Sequence, residues 1–176
     1  MQHTLFDLAT KGSAKVSDDG RYRYNLVRWL DDLMTRKPTA LFIMLNPSTA
    51  DAREDDQTIR RCTRFARDWG FGKLIVVNLF GWRATDAGEL ARAPDPIGPD
   101  NEMEIARALR VADLVLCAWG SSTGGILRLK REQAAVICHL IVMAGHTPMC
   151  LGTTAAGWPR HPLFVKADVR PMPYTG

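Results

Sequence analysis

Asn46, Ser48, Thr49 and Asp51 follow one another closely, directly after the apolar run Leu41-Phe42-Ile43-Met44-Leu45. A carboxylate such as Asp51 is a general base, and an amide such as Asn46 can hold the water it activates. Pro47 removes a backbone donor and disfavours helix at Asn46, so a defined turn presents the amide. Ser48 and Thr49 add hydroxyls that donate and accept. The same residue types cap helices, but capping takes one such residue and this segment carries several. Farther along, Asn78 ends the apolar run Leu74-Ile75-Val76-Val77. An amide there must find hydrogen bonds or carry a penalty of about 1–3 kcal/mol. Its planar edge pairs donors with an acceptor, which suits the edge of a nucleobase; closing a neighbouring loop is the other use. Trp119, ahead of Gly120, is either a stacking face or a core residue. His161, ahead of Pro162, is either a donor to developing negative charge or a structural histidine.

These residues lie far apart in sequence, so a scaffold must bring them together. Residues 41–45 read as a strand buried on both faces. Asp55-Asp56-Gln57-Thr58 opens a helix to about Trp69, with Ile59, Cys62, Phe65, Ala66 and Trp69 on its buried face. Residues 74–80 and 112–118 give two more buried strands, and Met149-Cys150-Leu151 a short fourth. Between them, 81–99 reads as a long irregular loop, Asp100 as the cap of a helix to Arg110, and 126–144 as the longest helix. Residues 21–30 form an edge or flanking strand, because their arginines are costly in a buried one, and 161–165 form a final strand. The pattern predicts a three-layer α/β sandwich with a mainly parallel, four-stranded central sheet. Residues 1–20 are a polar N-terminal segment and 21–176 a single domain. In a parallel sheet every carboxyl end lies on one side, so Asn46 to Asp51, Asn78 and Trp119-Gly120 are expected to share one crevice.

Composition narrows the function classes. With 46% hydrophobic and 24% charged residues the chain reads as soluble, and no apolar run approaches the roughly 20 residues of a membrane span. The N-terminal residues do not follow a secretory pattern, so the expected location is the cytoplasm. Cys62, Cys117, Cys138 and Cys150 are widely separated and read as small buried hydrophobes. The four histidines lack zinc spacing, and nothing in the chain calls for a metal or cofactor. A net charge of +4 permits a polyanionic partner. Arg60, Arg61 and Arg64, on the helix after the first motif, are candidates to contact nucleic-acid phosphate, or else form a solvated helix face.

Several of these runs occur together in a bacterial family known only as a domain of unknown function. The resemblance rests on Leu45-Asn46-Pro47-Ser48-Thr49-Ala50-Asp51, Asp56 with Thr58-Ile59-Arg60-Arg61-Cys62, Val77-Asn78-Leu79-Phe80, Arg83-Ala84-Thr85-Asp86 and Ala118-Trp119-Gly120, over roughly residues 20–165. More distantly, Met44-Leu45-Asn46-Pro47, the strand-ending Asn78, Cys117-Ala118-Trp119-Gly120 and His161-Pro162 resemble the motifs of the uracil-DNA glycosylase superfamily. Leu163-Phe164 stand where that superfamily has Ser-Pro. This second resemblance implies a uracil-DNA glycosylase-like fold, a base-reading Asn78 and a His161 that donates to the base.

The leading expectation is therefore a hydrolase that cleaves an N-glycosidic bond in a nucleic acid or nucleotide. Asn46 or Asp51 would orient or activate water; Asn78, Pro47, Ser48, Thr49, Trp119 and Gly120 would bind the substrate; and His161 would act on the leaving base. The partner is a nucleobase-containing ligand, with DNA and RNA as candidates. The alternatives are a non-catalytic nucleotide- or nucleic-acid-binding protein and, ranked last, a magnesium-dependent nucleotide hydrolase using Asp51, Glu54, Asp55 and Asp56.

Overall fold

The computed structural model describes residues 12–31, 37–48, 55–121 and 125–176. In chain order these form β1 (Ser13–Val16), β2 (Arg23–Trp29), β3 (Thr39–Met44), α1 (Gln57–Asp68), β4 (Lys73–Asn78), α2 (Ala87–Arg92), α3 (Asn101–Leu109), β5 (Leu114–Cys117), α4 (Leu127–Met143), β6 (Met149–Cys150), a 3₁₀ turn (Pro162–Phe164) and β7 (Met172–Pro173). The sheet runs β1-β2-β4-β3-β5-β6-β7. β3 lies parallel to β4 and β5, and β5 parallel to β6. β1, β2 and β7 join antiparallel.

The four runs expected at the centre are thus parallel neighbours, but the sheet is seven-stranded and mixed, which corrects the four-stranded, mainly parallel expectation. The added strands carry weak sequence signals. β1 lies within the polar N-terminal segment and is mostly exposed, while β7 is two residues long and includes Pro173. β2 flanks the parallel strands but is not an edge, because β1 covers its outer side. Its Arg23 and Arg28 are only 2% and 5% exposed. The burial of Arg28 is offset by an ion pair with Asp55 at 2.8 Å.

Side-chain alternation along β3 builds the two interfaces of the sheet. Phe42 and Met44 join Val76 of β4 against Ile59, Cys62, Phe65 and Ala66 of α1. Leu41 and Ile43 pack the opposite way with Ile75 and Val77 against Ile105 and Leu109 of α3 and Ile137 and Ile141 of α4. The result is three layers, with α1 on one face and α3 and α4 on the other. Trp69, after α1, stacks on Phe42 and Phe65 with centroids 6.0 and 5.1 Å apart.

Helix ends follow the expected chemistry in part. Asp56 caps α1 by accepting from Ile59 N at 2.8 Å. Asp100 precedes α3 but makes no side-chain capping bond. Within 81–99, read as irregular throughout, Asp86 caps the short α2 through Glu89 N at 2.8 Å. The final strand expected at 161–165 is instead the 3₁₀ turn. Pro162 cannot donate to a ladder, and a local bond from Leu163 N to the His161 ring competes with extended pairing. All four cysteines are free thiols; Cys62, Cys117 and Cys150 are buried and Cys138 half-buried. Among the described residues no helix is long and apolar enough to cross a membrane.

Candidate functional site

The parallel strands place their carboxyl ends on one side, and a pocket of about 660 Å³ opens there. Asn46 and Ser48 after β3, Asn78 at the end of β4, Trp119 and Gly120 after β5, and His161 beyond β6 all line it. Thr49 and Asp51 lie outside the described residues. Asn46 is fixed by its Nδ2, which donates to the carbonyls of Ala84 at 2.9 Å and Pro47 at 3.1 Å. Ala84 N returns to the Pro47 carbonyl at 3.0 Å, so the turns after β3 and β4 are tied together. Oδ1 of Asn46 is left without a bond to the described residues. Pro47 does not line the pocket; it is buried, and its carbonyl makes the tie.

Asn78 is held differently. Val76, two residues earlier, projects toward α1 and lines the pocket, so Asn78 projects to the same side. It is 1% exposed, and its Nδ2 has no hydrogen-bond partner among the described residues. The loop-closing role open to it is filled by others. Asn101 Nδ2 donates to the carbonyls of Asn78 and Leu79, both at 3.0 Å, and Asn46 secures the segment at Ala84. The backbone at Asn78 is therefore fixed while its amide stays unengaged in the pocket wall.

The third and fourth sides come from the turn after β5 and the segment around His161. Trp119 is 1% exposed and packs edge-on against Tyr174 in the α3–α4 core, so its ring offers no open stacking face. Gly120 adopts φ +69°, and a Cβ there would stand 3.1 Å from that of His161. Its carbonyl accepts from Lys130 Nζ at 2.6 Å. Lys130 is fully buried, with Nζ 4.3 Å from the Trp158 ring centroid, and burial pulls its pKa down to about 8. Gly120→Ala combines left-handed strain with crowding of His161. It is expected to cost about 1–2 kcal/mol of stability, checked by urea unfolding, and to shift the His161 ring resonances.

His161 is half-buried, and its Nδ1 accepts from Leu163 N at 3.3 Å. The neutral ring therefore carries its proton on Nε2, as a donor. Burial lowers its pKa below the usual histidine value, with nearby Asp56 acting in the opposite direction. Arg61 clamps this segment to α1 by donating to the carbonyls of Pro162 and Val165, while its guanidinium covers the Phe65 ring at 4.6 Å. The expected phosphate contact therefore does not fit Arg61, which is engaged with backbone. Arg60 and Arg64 are exposed and do not line the pocket. Of the carboxylates considered for magnesium, Asp55 pairs with Arg28 and Asp56 caps α1, while Glu54, like Asp51, lies outside the described residues.

Arg23, Thr85, Arg160 and Phe164 also line the pocket and were not among the expected site residues. Phe164 is 79% exposed at the rim, and a phenylalanine left in solvent is legible only in three dimensions. Lys130 had a readable signal. It falls on the same helical stripe as Ile126, Ala134, Ile137 and Ile141, a core position where lysine is out of place.

No curated protein and no solved structure matches the chain significantly. The family described as "Protein of unknown function (DUF1643)" matches residues 23–163, from β2 into the 3₁₀ turn. That span contains Asn46, Asn78, Trp119-Gly120 and His161, and it covers most of the chain, which therefore belongs to this family.

Proposed function

We propose that the pocket binds a nucleobase-containing ligand and that the protein cleaves its N-glycosidic bond, on a uracil-DNA glycosylase-like scaffold. The observation that carries this reading is the buried, unengaged amide of Asn78 in the pocket wall. A desolvated donor without a protein partner is costly unless a ligand supplies an acceptor, and a base edge does so in the plane of the amide. His161 Nε2–H is the donor for the carbonyl of the departing base, which leaves with the electron pair of the broken C–N bond. The oxocarbenium-like sugar is captured by water held at Asn46 Oδ1, and Asp51 takes the water's proton.

A non-catalytic base-binding protein is the second reading, and one observation favours it. Asp56, the carboxylate among the pocket residues, is already engaged as the α1 cap. Among the described pocket residues no other carboxylate is present for general-base work, which the glycosidase reading assigns to Asp51. The test is a base-release screen over normal and damaged bases in free nucleosides, nucleotides, single strands and duplexes, with chelator and with magnesium. Metal-independent release that is lost in Asp51→Asn supports the glycosidase. Binding without release supports the second reading, and magnesium-dependent phosphate products refute both.

A further inference from the structure

A second, shallower cavity of about 310 Å³ adjoins the main pocket and shares Ser48, Ala84 and Thr85 with it. Its cationic wall is built by backbone pairing. Tyr22 and Trp82 form an antiparallel bridge, and Arg83 N donates to the Arg21 carbonyl at 2.9 Å, which sets Arg21 opposite Arg83. Like charges facing each other across a strand pair are unfavourable unless something offsets them. Arg21 is offset by Asp19 at 2.9 Å. Arg83 is half-buried, and its guanidinium makes one side-chain bond, to the Gly20 carbonyl at 3.4 Å, with no carboxylate within ion-pair distance among the described residues. Glu89, the acid lining this cavity, is turned to Thr85, accepting from its N at 3.0 Å and its Oγ1 at 3.4 Å.

We propose that this shelf binds a phosphate ester carried by the nucleoside whose base occupies the main pocket. The ligand is then a nucleotide unit, free or within a strand, rather than a free base or nucleoside. The inference rests on the base-binding reading of the main pocket and extends it to the rest of the ligand. The chemistry fits: a guanidinium with several N–H groups unengaged matches phosphate oxygens, and the shared Ser48-Ala84-Thr85 wall makes the two cavities contiguous. The α1 arginines do not compete for this role, because Arg61 is engaged with backbone carbonyls and neither Arg60 nor Arg64 lines either cavity.

The test compares affinities, by calorimetry, for a panel of nucleosides, their 3′- and 5′-monophosphates, short single-stranded oligonucleotides and inorganic phosphate. A monophosphate is expected to bind roughly tenfold tighter than its nucleoside at low salt, with the gain shrinking as salt is raised. Arg83→Gln removes that gain and leaves nucleoside affinity unchanged; Arg83→Lys, which keeps the charge but not the fork, retains part of it. Thermal unfolding of both variants reports folding, and the conservative lysine variant keeps the comparison usable if glutamine perturbs the loop. An oligonucleotide that outbinds the monophosphate of the same base assigns the shelf to a strand phosphodiester, and equal affinities assign it to a free nucleotide. Nucleoside binding with no phosphate gain, or a gain that survives Arg83→Gln combined with Arg21→Gln, overturns the shelf and leaves the base pocket standing. Inorganic phosphate binding as tightly as nucleotides, with no response to Asn78→Ala, overturns the base pocket while leaving Arg83 its anion. Failure of every probe to bind overturns both.

Discussion

Replacing Asn78 with alanine is expected to weaken nucleobase binding by about 1–3 kcal/mol, roughly 5- to 150-fold in Kd, without lowering the stability of the unliganded protein. The two halves of this result come from one geometric fact. Asn78 Nδ2 is shielded from solvent and makes no hydrogen bond to the described residues. Folding therefore pays for burying the amide and gains no bond at Nδ2 in return, so truncation relieves a penalty and offsets the loss of packing atoms. Binding is different, since in the proposed mode the ligand supplies the acceptor that Nδ2 lacks. A structural asparagine behaves in the opposite way. Asn101→Ala leaves the carbonyls of Asn78 and Leu79 without their side-chain donor and is expected to lower stability while acting on the pocket only indirectly. Calorimetric affinities and urea unfolding of the two variants separate the roles. A large stability loss in Asn78→Ala with unchanged ligand affinity would assign Asn78 to the scaffold and end the base-reading role.

What the chain reveals before folding is set by how local each signal is. β3, α1 and β4 were legible because burial on both faces makes a strand a continuous apolar run and one buried face makes a helix periodic. The crevice followed from those strands alone, since a parallel arrangement forces Asn46, Asn78 and Gly120 onto one side. β1 and β7 were not legible, because an exposed or two-residue strand is defined by its partner rather than by its own composition. The arginines of β2 misdirected the reading for a related reason. Arg28 is tolerated in the interior because a neighbour remote in sequence, Asp55, meets its charge. The 3₁₀ turn at His161 shows local chemistry prevailing over composition: Leu163 and Val165 suit a strand, but Pro162 and the His161 ring decide the backbone.

The site was legible as residue types and not as roles. Pro47 was expected to bind substrate and acts through its carbonyl, while Trp119, open to a stacking or a core role, lines the pocket with its ring packed edge-on against Tyr174. Arg61 was expected either to contact phosphate or to belong to a solvated helix face, yet it reaches across to the segment that carries His161. In each case the deciding partner lies far away in sequence, at Ala84, Tyr174 or Pro162. The consequence for function is that His161 is mounted on a segment held from two sides, by the Arg61 clamp and by Gly120 N, which donates to the Pro159 carbonyl at 2.9 Å.

That mounting leads to the largest expected effect. On the proposed glycosidase mechanism, His161→Ala is expected to reduce base release roughly 10²- to 10³-fold while changing nucleoside affinity far less, because a donor to charge that develops on the leaving base acts mainly in the transition state. The pH dependence supplies a second, independent signature. Burial holds the folded-state pKa of His161 below its ordinary value of 6.5. The unfolded chain then takes up its proton first as pH falls, so the stability His161 contributes is fully present above pH 6.5 and is lost as pH drops through the folded-state pKa. Protonation also removes the Nδ1 lone pair that accepts from Leu163 N, so the 3₁₀ turn loosens in the same acidic range. Urea unfolding of the parent across that range is therefore expected to show a steeper slope than that of His161→Ala, and on the proposed mechanism base release by the parent is expected to fall on the same acidic limb. A folded His161→Ala variant that releases base at the parental rate removes the residue from the chemistry, whatever its effect on the turn.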